Sequence, residues 1–548
     1  MNPLAGLKPV LELADPRTLS RLYRAGTLAP LTPLAVGLSL PWLVGRGQSL
    51  GVVSQMNSVV IGARTAIHDR HGALTWRELD ANANRAAQAM RRLGLSGGDR
   101  VALLLRNGRE FAEVLLGAQK TGIVVCPLNT WAVSKELKAT LESSGCRALV
   151  YDVAHSKQLA GCDLEGALLI ATGTAGDPLE GSIAYDDFLG AGFDLPPFPF
   201  TLRGSSPKVV IQTSGTTGTP KGAQRDASAA GLRSLANLIG VVPYHRNDII
   251  LCPAPLFHSF GLATFTFATA LGATLVLPER FDPEGSLELI ERHRATAASF
   301  VPVMIARILD LEDNVVTAYD ISALRIVLAS GSSMSPELRS EAMELFGDVL
   351  YDLYGSTEAG WVAIARPEDI IARPKSVGLP VPGIEVAIFS AEGDRLGSGE
   401  SGEIFVRSNV SFEGYSSGDS KEEREGFMSI GDAGYRDDEG FLFIEGRADD
   451  MVVVGGENVY PIEIEEVIES IPGVREAAVV GIDDPAYGQV LAAFVAGSAT
   501  ADAIDRRCRD ELASFKIPRR IEIVDELPRT STGKVLKREL TDADKAGH

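Results

Sequence analysis

The chain has 548 residues, of which 45% are hydrophobic and 23% are charged. It is too long for one core and too apolar for intrinsic disorder, so about three or four domain-sized units would fit. The formal net charge of −20 argues against a nucleic-acid partner and against electrostatic docking to anionic lipid. Acidic substrates must therefore be held by local cations.

The cysteines are few and scattered. Cys126, Cys146, Cys162, Cys252 and Cys508 are an odd number and form no C-x-x-C motif. No cluster of cysteine and histidine suggests a zinc site. This usage is typical of reduced thiols, and it predicts a cytoplasmic protein.

Residues 1–50 form an apolar N-terminal extension. Within it, residues 25–45 carry no charge over 21 positions, which is long enough in principle to cross a bilayer. Three prolines make this stretch a poor spanning helix, and acidic residues before it argue against a signal peptide. We expect it to pack on the protein's own surface, because it lacks a basic face. Peripheral membrane contact through residues 25–45 is the alternative.

The following region alternates short apolar runs with longer amphipathic ones, which is typical of α/β units. Thr75 and Glu78 have the spacing of a capping box before a helix that ends near residue 93. Residues 101–105 then predict a buried strand, and residues 109–120 predict a helix. The pattern favours parallel sheets covered by helices.

Past about residue 375 the chain changes to short strands separated by glycine turns. From residue 452 helices and strands mix again over about a hundred residues, enough for an independent unit. The predicted fold class is α/β. It has a large N-terminal domain of packed α/β sheets with a small barrel-like β subdomain, and a smaller, mobile α+β C-terminal lid domain.

A loop of Gly, Thr, Ser, Pro and Lys at 213–222 directly follows the apolar run 209–211. Its backbone N–H groups, hydroxyls and lysine can wrap a polyphosphate. It is not a Walker A motif, because Pro220 precedes the lysine and no Ser or Thr follows it. A solvated linker is the alternative, but the Lys-Gly end after a strand favours a nucleotide triphosphate. The candidate residues are Thr213, Ser214, Gly215, Thr216, Thr217, Gly218 and Lys221.

A second polar cluster lies at 351–358. Tyr354 can stack on a purine, Thr357 can bond a phosphate, and Glu358 can hold Mg²⁺. The cluster alone is a weak signal.

Two further positions suit a nucleotide. The carboxylate of Asp432 fits ribose hydroxyls, and Arg447 supplies a cation, although a turn aspartate and a surface arginine would explain each one in isolation. Near the C-terminus, a flexible polar loop ends in Gly533 and Lys534. A lysine there can reach a charge that develops elsewhere if a lid closes.

The set of motifs and its order resemble the adenylate-forming superfamily, specifically the acyl-CoA synthetases, over about residues 51–540. The motifs that carry the resemblance are 213–222, 354–358, 431–432, 446–450, 455–465 and 533–534. The resemblance implies that ATP activates a carboxylic acid to an acyl-AMP with loss of pyrophosphate, and that coenzyme A then takes the acyl group. ATP, Mg²⁺ and coenzyme A are the expected cofactors and co-substrates.

The resemblance also implies a role for each motif residue. The 213–222 loop would hold the β- and γ-phosphates. Gly331, Ser332, Ser333 and Asp352 would lie along the adenine, with Tyr354 and Gly355 at its face. Thr357 would contact the α-phosphate, Glu358 would bind Mg²⁺, and Asp432 and Arg447 would take the ribose.

The resemblance assigns catalysis and the rotation of the C-terminal domain to other residues. Lys534 would stabilise the adenylation transition state, and His258 would be a gate beside the acyl site, with the apolar run 260–271 as tunnel wall. Asp449 would be the hinge between a domain at 51–446 and a lid at 447–548. Its rotation would bring Gly455, Gly456 and Glu457 to the coenzyme A path.

The apolar wall suggests a medium to long-chain fatty acid. Three alternatives stay open: an acyl-AMP ligase that loads a carrier protein, a CoA ligase for aryl or sterol-derived acids, and a catalytically silent nucleotide-binding protein. The joint presence of Lys221, Glu358, Asp432, Arg447 and Lys534 argues against the last. No feature of the sequence selects an oligomeric state.

Overall fold

The computed structural model describes residues 16–27, 49–194, 208–213, 221–226, 231–356, 359–408, 412–415, 421–448, 450, 452–454, 457–484, 488–529, 535–537 and 539–541. The helices are α1 (Pro16–Arg24), α2 (Leu50–Val60), α3 (Trp76–Arg92), α4 (Arg109–Thr121), α5 (Ser134–Ser144), α6 (Tyr185–Gly190), α7 (Gly231–Ile239), α8 (Ser259–Leu271), α9 (Pro283–His293), α10 (Pro302–Leu309), α11 (Asp313–Val316), α12 (Pro336–Phe346), α13 (Pro367–Ala372), α14 (Pro461–Glu469) and α15 (Ala501–Glu511).

The strands of the N-terminal domain are β1 (Thr65–Asp69), β2 (Gly72–Thr75), β3 (Arg100–Leu104), β4 (Val124–Pro127), β5 (Ala148–Asp152), β6 (Leu168–Thr172), β7 (Ile183–Ala184), β8 (Lys208–Thr213), β9 (Lys221–Asp226), β10 (Ile249–Leu251), β11 (Thr274–Val276), β12 (Ala297–Phe300), β13 (Ile326–Ala329), β14 (Leu350–Ser356), β15 (Gly360–Ala365) and β16 (Leu379–Pro380). Those that follow are β17 (Glu385–Phe389), β18 (Gly402–Arg407), β19 (Phe412–Tyr415), β20 (Glu423–Arg424), β21 (Phe427–Arg436), β22 (Leu442–Arg447), β23 (Val452–Val454), β24 (Glu457–Val459), β25 (Val474–Asp484), β26 (Gly488–Gly497) and β27 (Arg520–Val524).

The capping box at the start of α3 is confirmed. The backbone N–H of Thr75 donates to the Glu78 carboxylate at 2.8 Å, and the Glu78 N–H donates back to the Thr75 hydroxyl at 3.3 Å. The helix ends at Arg92 and the chain turns through Gly94, whose φ is +84°. Short-range hydrogen bonds and a left-handed glycine fix both ends, so the sequence pattern was sufficient to place this helix.

One mixed sheet has the strand order β16-β15-β14-β13-β12-β10-β11-β1-β2. The strands from β14 to β1 run parallel, and antiparallel strands flank them at both ends. Strands β12 and β13 are buried along their whole length, as expected for parallel strands covered on both faces. Because β13 and β14 are neighbours, their carboxyl ends place residues 330–333 beside residues 354–356.

A second sheet has the order β19-β9-β8-β4-β3-β5-β6-β7. Its strand β3 confirms the prediction for residues 101–105. Strands β8 and β9 form an antiparallel hairpin in which Thr213 faces Lys221. The glycine-rich residues 214–220 therefore connect two paired strands, and they lie outside the described residues.

The small β subdomain is an antiparallel sheet in the order β17-β18-β21-β20, with β22 on the other part of β21. The C-terminal unit is α+β as predicted, with β24-β23-β26-β25, β27 parallel to β26, and helices α14 and α15 packed on the sheet. Lys375 is 2.5 Å from Glu466 of α14, so an ion pair joins the two parts. The domain boundary stays a prediction, and Asp449 lies outside the described residues.

Residues 16–27 pack against the body of the protein. Leu22 is fully buried, Arg21 donates to Asn237 of α7 at 3.0 Å, and Arg246 donates to the Gly26 carbonyl at 3.0 Å. This agrees with packing for the start of the uncharged stretch, whose remainder lies outside the described residues. Within the described ranges, no helix is both long and apolar enough to cross a membrane. Peripheral membrane contact stays a prediction.

Candidate active site

Three residues predicted to bind the nucleoside meet at one carboxylate. Asp432 of β21 faces Arg447 of β22 in the strand register, and the Arg447 guanidinium is 2.9 Å from its Oδ1. The hydroxyl of Tyr354, at the end of β14, donates to Oδ2 of Asp432 at 2.5 Å. The large sheet and the β subdomain thus contribute jointly to one polar cluster.

The electrostatics of this cluster keep the tyrosine protonated. Burial raises the pKa of Tyr354 well above its ordinary value, and the negative charge of Asp432 adds to the effect. The hydroxyl therefore acts as a donor. A carboxylate held by a tyrosine and an arginine has a fixed orientation, which suits it to accept hydrogen bonds from the hydroxyls of a ribose.

The backbone conformation at Gly431 favours glycine, and Arg447 lies close to it. Its φ is +75°, and a Cβ at this position would lie 2.8 Å from a terminal nitrogen of Arg447. Arg447 also donates to the Ile430 carbonyl at 3.2 Å. The Gly-Asp dipeptide is therefore explained by packing as well as by the proposed ligand contact.

Residues 331–333 lie at the open edge of the same sheet, where β13 ends. The hydroxyl of Ser330 donates to the Leu353 carbonyl at 2.8 Å and ties the ends of β13 and β14 together. Gly331 has a φ of +103°, and Ser332 and Ser333 are exposed.

Gly355 follows Tyr354, and a Cβ there would collide with the Gly360 carbonyl at 2.0 Å. Residues 331–333 and Gly355 are near Tyr354, as the predicted adenine site requires.

Asp352 has a structural partner that the sequence did not reveal. Two nitrogens of Arg339, on α12, donate to its Oδ2 at 3.0 and 2.5 Å, and both side chains are buried. Arg339 also donates to the Ser376 carbonyl at 2.9 Å. The carboxylate is thus held by α12, and its predicted role along the adenine stays a prediction.

His258 precedes α8 and lies in an aromatic cluster. Its ring centroid is 4.2 Å from that of Phe257 and 6.1 Å from that of Trp131, which follows β4 in the other sheet. Burial lowers the pKa of His258 to about 4, so the imidazole is neutral at pH 7. Among the described residues, its buried Nε2 has no hydrogen-bond partner.

The helix behind His258 presents a small, uncharged face. Its large residues Phe260, Phe265 and Leu271 are buried in the core. The partly accessible positions are Ser259, Ala263, Thr266 and Ala270, whose spacing places them on one side of a helix. Short, uncharged side chains therefore line the accessible side of α8.

Several predicted residues lie outside the described part of the chain, and their roles stay predictions. They are Ser214, Gly215, Thr216, Thr217, Gly218, Thr357, Glu358, Asp449, Gly455, Gly456 and Lys534. The flanks are described. Thr213 and Lys221 close the β8–β9 hairpin, Glu457 begins β24, and Arg529 pairs with Val535 around the segment that carries Lys534.

Sequence reasoning missed Arg339, Trp131 and Asn107, which holds the loop before His258. An asparagine followed by glycine after the buried run 101–105 was a usable sign of a turn at a strand end. Trp131, in the loop after β4, is 50% exposed. Its neighbours in the sequence do not indicate which residues it contacts. Arg339 looks like an ordinary helix arginine, because its partner depends on the tertiary fold.

The chain is similar to known proteins over most of its length. The family model for the AMP-binding enzyme matches residues 59–416, and that for the AMP-binding enzyme C-terminal domain matches residues 463–534. A fatty acid–acyl-carrier-protein ligase, ScoC, of Streptomyces coeruleorubidus is 33% identical over 86% of this chain and 91% of its own. The long-chain-fatty-acid–CoA ligase FadD13 of Mycobacterium tuberculosis is 31% identical over 85% of this chain and 92% of its own. The structure of ATP-bound MatB from Rhodopseudomonas palustris superimposes with a TM-score of 0.80 at 27% identity, covering 91% of this chain and 99% of that one.

Proposed function

The chain belongs to the AMP-binding enzyme family, and from this premise we propose that it activates a medium to long-chain fatty acid with ATP and transfers it to coenzyme A. The general reaction, ATP-dependent acid–CoA ligation through an acyl-adenylate, is that of the family to which it belongs. The assignment of a fatty acid as the substrate is more specific than this general reaction. It depends on the residues predicted to contact the acyl chain.

One observation carries that choice. His258 is neutral, and the accessible face of α8 behind it has no charged residue. From Ser259 to Ala270 this face is about 16 Å long, at 1.5 Å per residue. A second carboxylate on the tail of the acid would find no cation on this face, so burying it would cost free energy. A methylene chain carries no charge and pays no such desolvation cost.

In the proposed reaction a carboxylate oxygen attacks the α-phosphorus of ATP and pyrophosphate leaves. Asp432, fixed by Tyr354 and Arg447, would hold the ribose so that the α-phosphate is presented to the acid. Lys534 would stabilise the charge that develops on the carboxylate and phosphate oxygens. Glu358 would hold Mg²⁺, whose charge offsets that of the phosphates. The thiol of coenzyme A then attacks the acyl carbon and AMP leaves.

A carrier-protein acceptor is the second candidate, because one of the similar enzymes is a fatty acid–acyl-carrier-protein ligase. Aryl acids are a third, since similar enzymes include an indoleacetate–CoA ligase. A silent nucleotide-binding protein fits less well. It would bind a nucleotide through Asp432 as well, but it would have no use for Lys534, whose proposed role is to stabilise a transition state.

The test is pyrophosphate release with ATP and Mg²⁺ across straight-chain, aryl and sterol-side-chain acids, with and without coenzyme A. We expect straight-chain acids to be preferred, an acyl-CoA to appear only with coenzyme A, and Lys534→Ala to lower release by about 10²-fold or more. Lys516→Ala is the matched control, because Lys516 pairs with Glu463 on the same domain. Release without acyl transfer to coenzyme A would support the carrier-protein ligase, and preference for aryl acids would overturn the fatty-acid assignment.

A further inference from the structure

A primary amide bridges the two large sheets directly behind the predicted gate. Asn107 follows β3 in one sheet, and the loop 252–258 follows β10 in the other. The Asn107 Nδ2 donates to the Ala254 carbonyl at 3.0 Å and, more weakly, to the Cys252 carbonyl at 3.5 Å. Its Oδ1 accepts the Leu256 N–H at 2.8 Å. We propose that Asn107 is a positioning residue that sets the place of His258 and thereby the selectivity for the acid.

The loop needs this partner because of its own composition. Pro253 and Pro255 have no N–H to donate, and Cys252, Ala254 and Leu256 are buried. The Cys252 N–H donates to the Val276 carbonyl of β11 at 2.9 Å. Past Leu251, however, no described strand pairing supplies the Cys252 and Ala254 carbonyls or the Leu256 N–H, which are buried and need partners. Asn107, itself only 4% exposed, bonds alternate residues as the edge of a strand would.

The opposite side of the loop is also fixed. At Gly261, in the first turn of α8, a Cβ would lie 2.2 Å from the Pro255 carbonyl. The His258 N–H donates to that same carbonyl at 3.1 Å. The loop is therefore held between the amide of Asn107 and the backbone of α8. A shift at Ala254 or Leu256 must move Phe257 and His258 with it.

This proposal rests on the proposed function, because His258 can affect selectivity only if the acid binds beside it. The chain offers a matched control at the other end of the same helix. The buried Asn57 donates to the Thr269 carbonyl at 2.8 Å, near the end of α8. Asn107→Ala and Asn57→Ala each remove one buried amide that supports α8 or its leading loop, but only the first acts on His258.

We expect Asn107→Ala to raise the KM for the preferred acid about ten-fold and to flatten the dependence of kcat/KM on chain length, while the KM for ATP changes less than two-fold. Asn57→Ala should lower the melting temperature without changing the ranking of acids. Asn107→Asp keeps the acceptor for Leu256 and loses the donors to the carbonyls, so it should also flatten the ranking. An unchanged ranking in both Asn107 variants would overturn the proposal.

A measurement without substrate separates this proposal from the proposed function. NMR of isotopically labelled histidine, with the His258 signal assigned by His258→Gln, reports how far the ring is buried. We expect the pKa of His258 to rise toward its ordinary value in Asn107→Ala and to stay low in Asn57→Ala. If the pKa of His258 rises in Asn107→Ala but the wild-type protein adenylates no acid, the proposed function is rejected and the positioning role is kept. An unchanged His258 signal would reject the positioning role.

Discussion

Tyr354 and Asp432 are 78 positions apart and are joined by a 2.5 Å hydrogen bond between the large sheet and the β subdomain. A hydrogen bond to a charged group contributes about 1.5–3 kcal/mol. If Asp432 binds the ribose as proposed, we expect Tyr354→Phe to raise the KM for ATP about ten-fold, because Asp432 loses the donor that fixes its orientation. Steady-state kinetics would check this. Tyr351→Phe, on the same strand, should leave this KM unchanged, and an equal effect of both substitutions would contradict the prediction.

Removing the charge of Asp432 should have a larger effect. Asp432→Asn is nearly isosteric but leaves Arg447 facing a neutral amide and replaces one acceptor by a donor. We expect ATP–pyrophosphate exchange to fall by about 10²-fold, a loss of about 2.7 kcal/mol of transition-state stabilisation. Full exchange activity in Asp432→Asn at saturating ATP would show that the carboxylate serves packing alone.

The sequence was sufficient where the signal is local. The capping box at Thr75 and Glu78 and the buried strand at 101–105 were predicted from neighbouring residues, since hydrogen bonds within four residues and a run of apolar side chains define them. The polar cluster was predicted as a set of candidates, but its geometry was not. The distance between Tyr354 and Asp432 depends on how two sheets pack.

The same reason explains what the sequence could not show. Asp352 carries a carboxylate in a motif expected to bind nucleotide, and nothing nearby in the chain indicates that Arg339 holds it. Asn107 precedes a glycine and resembles any turn residue, although its amide reaches a loop some 150 positions later. Such roles appear only when strand order brings distant ends together.

The buried pair of Arg339 and Asp352 predicts a clear loss of stability. Arg339→Met should lower the free energy of unfolding by about 3–5 kcal/mol, because it leaves a buried carboxylate without its partner. The double variant Arg339→Met, Asp352→Leu should recover much of this loss. Urea unfolding measures both. If the double variant is stable but no longer exchanges pyrophosphate, Asp352 also acts in the nucleotide site.

The stability of the domain should depend on the protonation of Glu113. Burial raises the pKa of this carboxyl, on α4, to about 7, against the opposing hydrogen bonds from Asn82 and Tyr185. Between pH 4.5 and 7 the folded state therefore binds a proton that the unfolded state has lost, so stability falls as pH rises. The difference amounts to about 3 kcal/mol. Glu113→Gln should remove this part of the slope in urea unfolding measured at pH 5 and pH 7.5, and an unchanged slope would contradict the assignment.

The contacts on either side of residues 530–534 lead us to expect that Glu476→Gln slows only one of the two half-reactions. Arg529 and Val535 form a bridge that flanks residues 530–534, and the Leu536 N–H donates to the Pro528 carbonyl at 2.7 Å. An ion pair with Glu476 of β25 holds Arg529. Both side chains of this pair are partly buried, so Glu476→Gln should loosen the base of the segment that carries Lys534 and lower the adenylation rate about three- to ten-fold.

In the proposed mechanism Lys534 acts only in adenylation, so Glu476→Gln should leave the rate of thioester formation from preformed acyl-AMP unchanged. Glu522→Gln is the control, because Glu522 forms a 2.7 Å ion pair with Arg520 on the same domain but at an exposed position. Single-turnover measurements separate the two half-reactions. Equal slowing of both would mean that Glu476 supports the domain as a whole, and slowing of adenylation alone would show that the ion pair fixes the lysine.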